Sequence, residues 1–450
     1  MVAIAVVGSG VASITAVRTL CTSSLENNLP VKVTWFTARR KMGSTQSALS
    51  KSPMVRPKPG DPFFDYGCQY MSPVSAVFRN ELERWHDLGY VGNQFEVSLL
   101  NAKDDNPEMT KLESPGWVGN GGMGPMLEKL TIQTREEFAG RGLKHVSGFP
   151  EVERQVTSIH RDESTQKWFL NTERKAREFG PYDYVIGCFG HPKRTDPFLK
   201  PGGGAAKPMM EFLKGVKYNQ FFALQIVLEK GLDIEEIRNL SGCHILNHDV
   251  VSFVADNSKK PHQIEGLDSV GLNGQKPHIT IISTAKFAEQ NQKANRKMVQ
   301  DRMMESFAHL IAKESLLGLQ SKFQPKIHRL NFWQDGRCVK VVDESDFLFD
   351  TSVNLGWCGD FCVGPSVDGA AISGTSVAKF CIKDIEQSLN DGQSGKQNSR
   401  LTKWKWVDSD STVDIGTFFH LSSYEEQISK MNLAKKKEKM VRQYRRRRKN

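Results

Sequence analysis

A chain of 450 residues with a 38 % hydrophobic share and a mean hydropathy of -0.45 is long enough for two domains. No apolar run reaches the ~20 residues that span a bilayer, so no membrane span is expected. The net charge of +10 invites a nucleic-acid reading, but ten Lys and Arg against one acid, Glu438, fall between Lys435 and Asn450, which leaves the body nearly neutral.

The opening stretch, Val2–Ser13 and on to Leu20, reads as a buried strand, a Gly8–Ser9–Gly10 turn and a helix with Val11, Ile14, Val17 and Leu20 on one face. Glycines at such a turn let the backbone approach a pyrophosphate, and the helix N-terminus offers it N–H groups and a positive dipole end. The pattern is G-x-G-x-x-S, with Ser13 in the third glycine position. A second strand, residues 31–36, completes a βαβ unit. Where a dinucleotide site expects an acid for the ribose, the chain has Thr37, followed by Arg39 and Arg40. Residues 41–61 read as loop, 63–70 as a short strand, and 75–88 as a helix with Phe78, Leu82, Trp85 and Leu88 on one face. A second glycine turn, Gly121–Gly124, leads into another helix. Strands are predicted over 143–146, 155–160, 167–170 and 182–189. After Pro201–Gly204, strands at 218–229, 243–246, 250–255, 278–283 and 326–333 predict an antiparallel sheet, with a long helix over 285–315 whose Met298 and Met303 read as core. A strand over 354–360 and a helix N-capped by Ser366 close the body. Residues 390–399 are linker-like.

The eight cysteines form no C-x-x-C, and Cys358 and Cys362 lack partners at zinc spacing. They read as small buried hydrophobes in a reducing compartment, and no metal site is expected.

Two features converge with the opening turn. The strand end at Gly359–Asp360 suits the ribityl–pyrophosphate of an extended FAD, a group a nicotinamide alone does not have. The N-terminus of the last helix, near Val367 to Ala370, suits the flavin's pyrimidine edge and stabilises negative charge there. Taken alone, Gly359–Asp360 is equally an ordinary turn.

Residues 2–385 resemble the renalase-like branch of the flavin-containing amine oxidase superfamily. The resemblance is carried by Phe64–Asp65–Tyr66–Gly67–Cys68–Gln69–Tyr70, like F-D-x-G-A-Q-Y; by Trp117–Val118–Gly119 through Gly122–Met123; and by Leu355–Gly356–Trp357–Cys358–Gly359–Asp360–Phe361–Cys362–Val363–Gly364–Pro365, like L-G-x-C-G-D-x-C-x-G-P. It implies an α/β fold in which a Rossmann-type FAD-binding domain (residues 1–66, 112–200 and 335–389) is interrupted by a mainly antiparallel α+β substrate domain (67–111 and 201–334). Residues 390–450 are linker and basic tail. It also implies non-covalent FAD and hydride transfer from a dihydronicotinamide isomer of NAD(P) to flavin, with reoxidation by O₂ to H₂O₂. By position, Gly8, Ser9, Gly10, Val11, Ala12, Ser13 and Gly43 would serve the cofactor, with Thr37 and Arg39 nearby. Val156 would lie by the adenine, Gln69 and Tyr70 by the isoalloxazine, and Gly359, Asp360, Asp368, Gly369 and Ala370 would complete the site. No catalytic residue is assigned.

The chain departs from the family at Ser13, at Thr37, at Met42–Gly43–Ser44–Thr45 in place of G-G-R-M, and at His328–Arg329–Leu330–Asn331–Phe332 in place of H-R-W-R-Y. Two missing anchors are worth about 1–3 kcal/mol each where buried and charge-assisted. A non-catalytic descendant that keeps the fold as an interaction module is therefore one competing reading, and an FAD-dependent amine oxidase acting on another substrate is a second. A cleaved leader would remove the opening motif, so the expected location is cytoplasmic. The basic tail adds a nuclear alternative, with nucleic acid, an anionic surface or import machinery as its partner, against the plain reading of a solvated end.

Overall fold

Ile4, Ala5 and Val6 have no exposed surface, as expected of a parallel strand covered on both faces. The computed structural model describes residues 1–37, 47–49, 63–65, 67–104, 108–113, 115–147, 156–172, 178–229, 235–260, 276–311, 313, 316–390 and 404–408. The opening strand, Val2–Val7, sits inside a six-stranded sheet with the order Leu348–Asp350, Leu355–Trp357, Tyr184–Gly187, Val2–Val7, Val31–Thr37, Leu143–Ser147. All neighbours run parallel except the first two. The chain steps outward from Val2–Val7 through Val31–Thr37 to Leu143–Ser147, then returns on the other side. The order therefore reverses at the opening strand, which puts a crevice at the C-terminal ends of the strands there.

The opening helix, Val11–Glu26, packs its whole N-terminal half inward, and Val11, Ile14, Val17 and Leu20 are all buried. Each such side chain contributes roughly 1.5–3 kcal/mol. Its other cover is the closing helix, Val367–Asn390, which crosses so closely that a Cβ on Gly374 would run into the Ala12 carbonyl and the Thr15 hydroxyl. Ser366 caps the closing helix, accepting from the Gly369 N–H at 2.7 Å.

A seven-stranded sheet has the order Pro325–Trp333, Phe221–Leu228, His278–Ser283, Val251–Asp256, Gly242–Leu246, Val97–Asn101, Thr110–Lys111. One face, with Leu224, Ile226, Ile279 and Ile281, packs on the helix Arg296–Leu310 through Met303, Met304 and Phe307. The other face, with Ala223, Phe253, Ala255 and Ile282, joins the same core as Ile4, Val6 and the opening helix. A separate meander is built from Val156–Arg161, Trp168–Thr172 and Glu178–Tyr182. Trp406, in the short strand Trp406–Asp408, stacks on Phe212 at 4.5 Å, and its indole donates to the Phe212 carbonyl.

Several predicted elements are corrected. The strand at 182–189 is two strands in different sheets. The break is Asp183, whose carboxylate accepts from the Ala3 N–H at 2.8 Å and pairs with Lys167. The larger sheet is mixed, because Val97–Asn101 runs parallel to Gly242–Leu246. The helix over 285–315 is broken: Ala285–Asn291 ends and Asn295 caps Arg296–Leu310 through the Lys297 N–H. Met298, expected in the core, is 42 % exposed. The strand at 354–360 stops at Trp357, and Asp360 starts the short helix Asp360–Val363. Of the strand predicted over 63–70, Phe63–Asp65 forms and residues 67–70 are not strand. Leu88 is exposed, past the end of the helix Ala76–Asp87.

Candidate functional site

The crevice at the order reversal is built by three neighbouring strand ends. In register with Val7 and Gly187, the next residues are Gly8 and Cys188; in register with Gly187 and Trp357, the next are Cys188 and Cys358. A Cβ on Gly8 would sit 2.7 Å from the Cys188 Cβ, so only glycine fits between these strand ends. The Trp35 indole donates to the Gly8 carbonyl at 3.0 Å and fixes the turn. Gly10 caps the opening helix without a side chain, and the space around its missing Cβ is open to 4 Å. The first-turn N–H groups of Val11 and Ala12 have no intrahelical acceptor by construction of a helix. A roomy, positively polarised helix start suits an anion such as a pyrophosphate. Ser13 is accommodated because its hydroxyl turns back to the Gly10 carbonyl at 2.8 Å. Ser9 is buried within the turn.

Thr37, at the end of the second strand, has its hydroxyl 3.0 Å from Nε2 of His145 on the adjacent strand. Burial, with the Arg135 charge, pushes His145 down to about 4, so the ring is neutral. A neutral imidazole and a hydroxyl thus stand where a carboxylate is usual. Val156 begins the meander, half-buried against the neighbouring core. Arg39 and Gly43 lie outside the described residues.

Across the crevice, the Gly359 N–H donates to the Ser373 hydroxyl of the closing helix at 3.0 Å. Asp360 is enclosed by protein yet keeps some solvent access, and burial pushes its carboxyl up to about 6 against the pull of nearby backbone N–H groups. Tyr218 lies beside it. Burial first, then the Asp360 charge, raises that phenol well above its usual range.

The remaining predicted residues are tied into protein contacts. The Asp368 carboxylate accepts from the Val74 and Ser75 N–H groups, each at 2.8 Å, and from the Ser75 hydroxyl. A Cβ on Gly369 would strike the Gly364 carbonyl, and Ala370 is half-buried against the core. Gln69 is fully buried: its amide donates to the Asp65 carbonyl and its oxygen accepts from Lys260 Nζ at 3.2 Å. Tyr70 Oη is 2.7 Å from His244 Nε2, a ring that burial, with the Arg337 charge, holds at about 3 and therefore neutral.

Sequence reasoning missed the centre of this second group, the ion pair between Lys260 and Asp65. The two groups are 3.0 Å apart and neither side chain has any exposure. Asp65 also accepts from the Met123 N–H at 3.1 Å, at the start of the helix Met123–Glu137. Gly121 and Gly122, with φ of 81° and 107°, carry the chain into that helix. The second glycine turn thus presents its helix to a protein carboxylate. Lys260 stands 191 residues from Gln69 in the chain and had no local signal. His145 and Ser373 were missed for the same reason, although Ser366 and Ser373 share a face of the closing helix at a spacing of seven. Among the described residues, no group of three or more His, Cys, Asp or Glu is placed to hold a metal ion, and no helix is long and apolar enough to cross a membrane.

No protein-family model matches the chain. Among solved structures, the chain is similar to an oxidoreductase from Methanosarcina mazei at 10 % identity, covering 84 % of this chain and 100 % of that one with a TM-score of 0.57. It is similar to putrescine oxidase bound to putrescine at 11 % identity, covering 84 % and 98 % with a TM-score of 0.53. It is also similar to the p-nitrophenol 4-monooxygenase of Pseudomonas putida DLL-E4 at 12 % identity, covering 86 % and 82 % with a TM-score of 0.50. At such identities the likeness is one of fold: a mixed α/β architecture shared, over most of the chain, with these oxidoreductases.

Proposed function

We propose that the chain is an FAD-dependent oxidoreductase, renalase-like in its substrate, with residues 1–66, 112–200 and 335–389 as the cofactor domain and 67–111 and 201–334 as the substrate domain. The observation that supports it most is the reversal of strand order at Val2–Val7, where Gly10 leaves open space at the start of a buried helix. When bound, the flavin would take hydride from a dihydronicotinamide isomer of NAD(P) and pass the electrons to O₂, giving H₂O₂. The helix-start N–H groups of Val11 and Ala12 would hold the pyrophosphate, the Gly8 N–H being spent on the Phe36 carbonyl. Thr37 and His145 would meet the ribose hydroxyls with neutral groups, and Asp360 would meet the hydroxyls of the ribityl chain. The inner face of the seven-stranded sheet supplies apolar surface from Phe221, Ala223 and Ile282. Hydride transfer gains more from orientation and a dry face than from a protein acid or base.

The fold likeness to putrescine oxidase gives the amine oxidase reading its support. Asp65, fully buried, is already paired with Lys260 and so offers no free charge to a cationic amine.

The test begins with the purified full chain. A flavin spectrum released on denaturation, or gained on reconstitution with FAD, is the expected result. A colourless protein that cannot be reconstituted overturns the proposal and leaves the non-catalytic reading. Anaerobic bleaching by isomerised NADH but not by a panel of amines then supports the substrate, and the opposite pattern replaces it with an amine.

A further inference from the structure

A close pair of thiols stands at the crevice itself. Cys188 and Cys358 follow neighbouring parallel strands in register, 170 residues apart in the chain, and their sulfurs are 3.4 Å apart with the Cys358 thiol donating to Cys188. All eight cysteines are free, and Cys188 alone among them is not buried. Cys188 lies against Gly8, and Cys358 directly precedes Gly359. The pair thus links the two turns between which the strand order reverses.

We propose that Cys188 and Cys358 form a reversible dithiol–disulfide couple, closed by a hydroperoxide and reopened by a dithiol. The roles of the two sulfurs follow from their surroundings. Cys188 has solvent access and is the sulfur that meets the oxidant. Cys358 is sealed and held within reach as the resolving thiol. The Cys188 thiolate attacks the peroxide, breaking its O–O bond. One oxygen stays on sulfur as the sulfenic acid and the other leaves as hydroxide, which becomes water. The Cys358 thiol then attacks that sulfur, gives up its proton, and the hydroxyl leaves as a second water. The pair loses two electrons and the peroxide gains them. Closure brings the sulfurs from 3.4 Å to the ~2.05 Å of a disulfide. Reduction by an external dithiol reverses it by two exchanges through a mixed disulfide. An oxidase at this crevice would generate such a hydroperoxide beside the pair, but the couple does not depend on a bound flavin.

The experiment uses the fully reduced full chain and added hydrogen peroxide. Thiol titration under denaturing conditions is expected to fall by two from eight, dithiothreitol to restore the count, and peptide mass mapping to join the Cys188 and Cys358 peptides. Before oxidation, iodoacetamide is expected to label Cys188 ahead of the seven buried cysteines. Cys188→Ser is expected to abolish the link, and the mapping on the unaltered chain stands even where that variant folds poorly. Persistence of all eight thiols, over-oxidation of Cys188 without a link, or a link between other cysteines would each overturn the proposal.

Discussion

The crevice at the ends of the parallel strands and the inner side of the seven-stranded sheet both gather residues that the sequence marks for cofactor chemistry, and they treat polar groups in opposite ways. At the crevice the proposed recognition surface is backbone: Gly10 bears no side chain, the helix start is roomy, and two titratable side chains there, His145 and Asp360, are pushed by burial toward their neutral forms. On the sheet side Asp65, Lys260, Gln69, Asn257 and Thr280 satisfy one another inside the protein. The lesson is that a motif residue can be retained in order to join two sheets. Gln69 and Asp65 lie in the stretch that most resembles the flavin family, yet here they bind Lys260 and the start of a helix.

The largest effect should come from breaking that internal network. Lys260→Met leaves the Asp65 carboxylate buried and uncompensated, so stability should fall by about 3–5 kcal/mol, read by urea unfolding. Flavin bound per mole of folded protein should stay the same. If stability hardly changes while flavin is lost, Lys260 belongs with the crevice and the contrast fails. A smaller effect of opposite sign is expected one strand away. Gln225 is fully buried on Phe221–Leu228, the second strand of the seven-stranded sheet, and neither of its amide atoms has a hydrogen-bond partner among the described residues. An unsatisfied buried polar group costs about 1–3 kcal/mol, so Gln225→Leu should raise stability by up to that amount. A fall would show that the amide is hydrogen-bonded in the folded chain.

Much of this division could be read from the chain before the fold was known. The strand–turn–helix at Val2–Leu20 was legible because its periodicities are local, and the Ser366 cap because a serine three residues before a helical N–H bonds within its own turn. What was not legible is pairing across the chain. Nothing near Asp65 announces Lys260, nothing near Thr37 announces His145, and nothing in residues 182–189 says that Asp183 divides the stretch between two sheets. Apolar runs were over-extended wherever a single polar residue stopped them, as Asn295 does between two helices. Local physics specified the elements; the roles of Gln69, Tyr70 and Asp368 depended on partners 174 to 294 residues away.

The contrast is sharpened at the crevice by a change that structure favours and function opposes. Asp is a preferred helix N-cap, at least equal to Gly, and Gly10 has φ and ψ of -100° and -177° with open space for a side chain. Gly10→Asp should therefore leave stability level or raise it by a few tenths of a kcal/mol. The same carboxylate would face the pyrophosphate, so FAD affinity should fall at least tenfold, about 1.4 kcal/mol. Titration of the apoprotein with FAD measures the second effect. Equal affinity in the variant would place the phosphates elsewhere.

The smallest effect concerns pH. Burial raises the Asp360 carboxyl from 3.8 to about 6 in the folded chain. Between those values the folded state binds more protons than the unfolded one, so stability should be complete below about pH 4 and decline as pH rises through 6. Because Asp360 keeps some solvent access, the expected loss is about 1 kcal/mol, less than its burial alone implies. Above pH 6 its charge would also face the proposed pyrophosphate, so FAD should bind more tightly at pH 5.5 than at pH 7.5. Asp360→Asn should flatten both profiles while keeping a polar side chain for the ribityl hydroxyls. If the two profiles keep their slopes in the variant, the titrating group is another one, and Asp360 would join Asp368 as a residue that holds the fold rather than the cofactor.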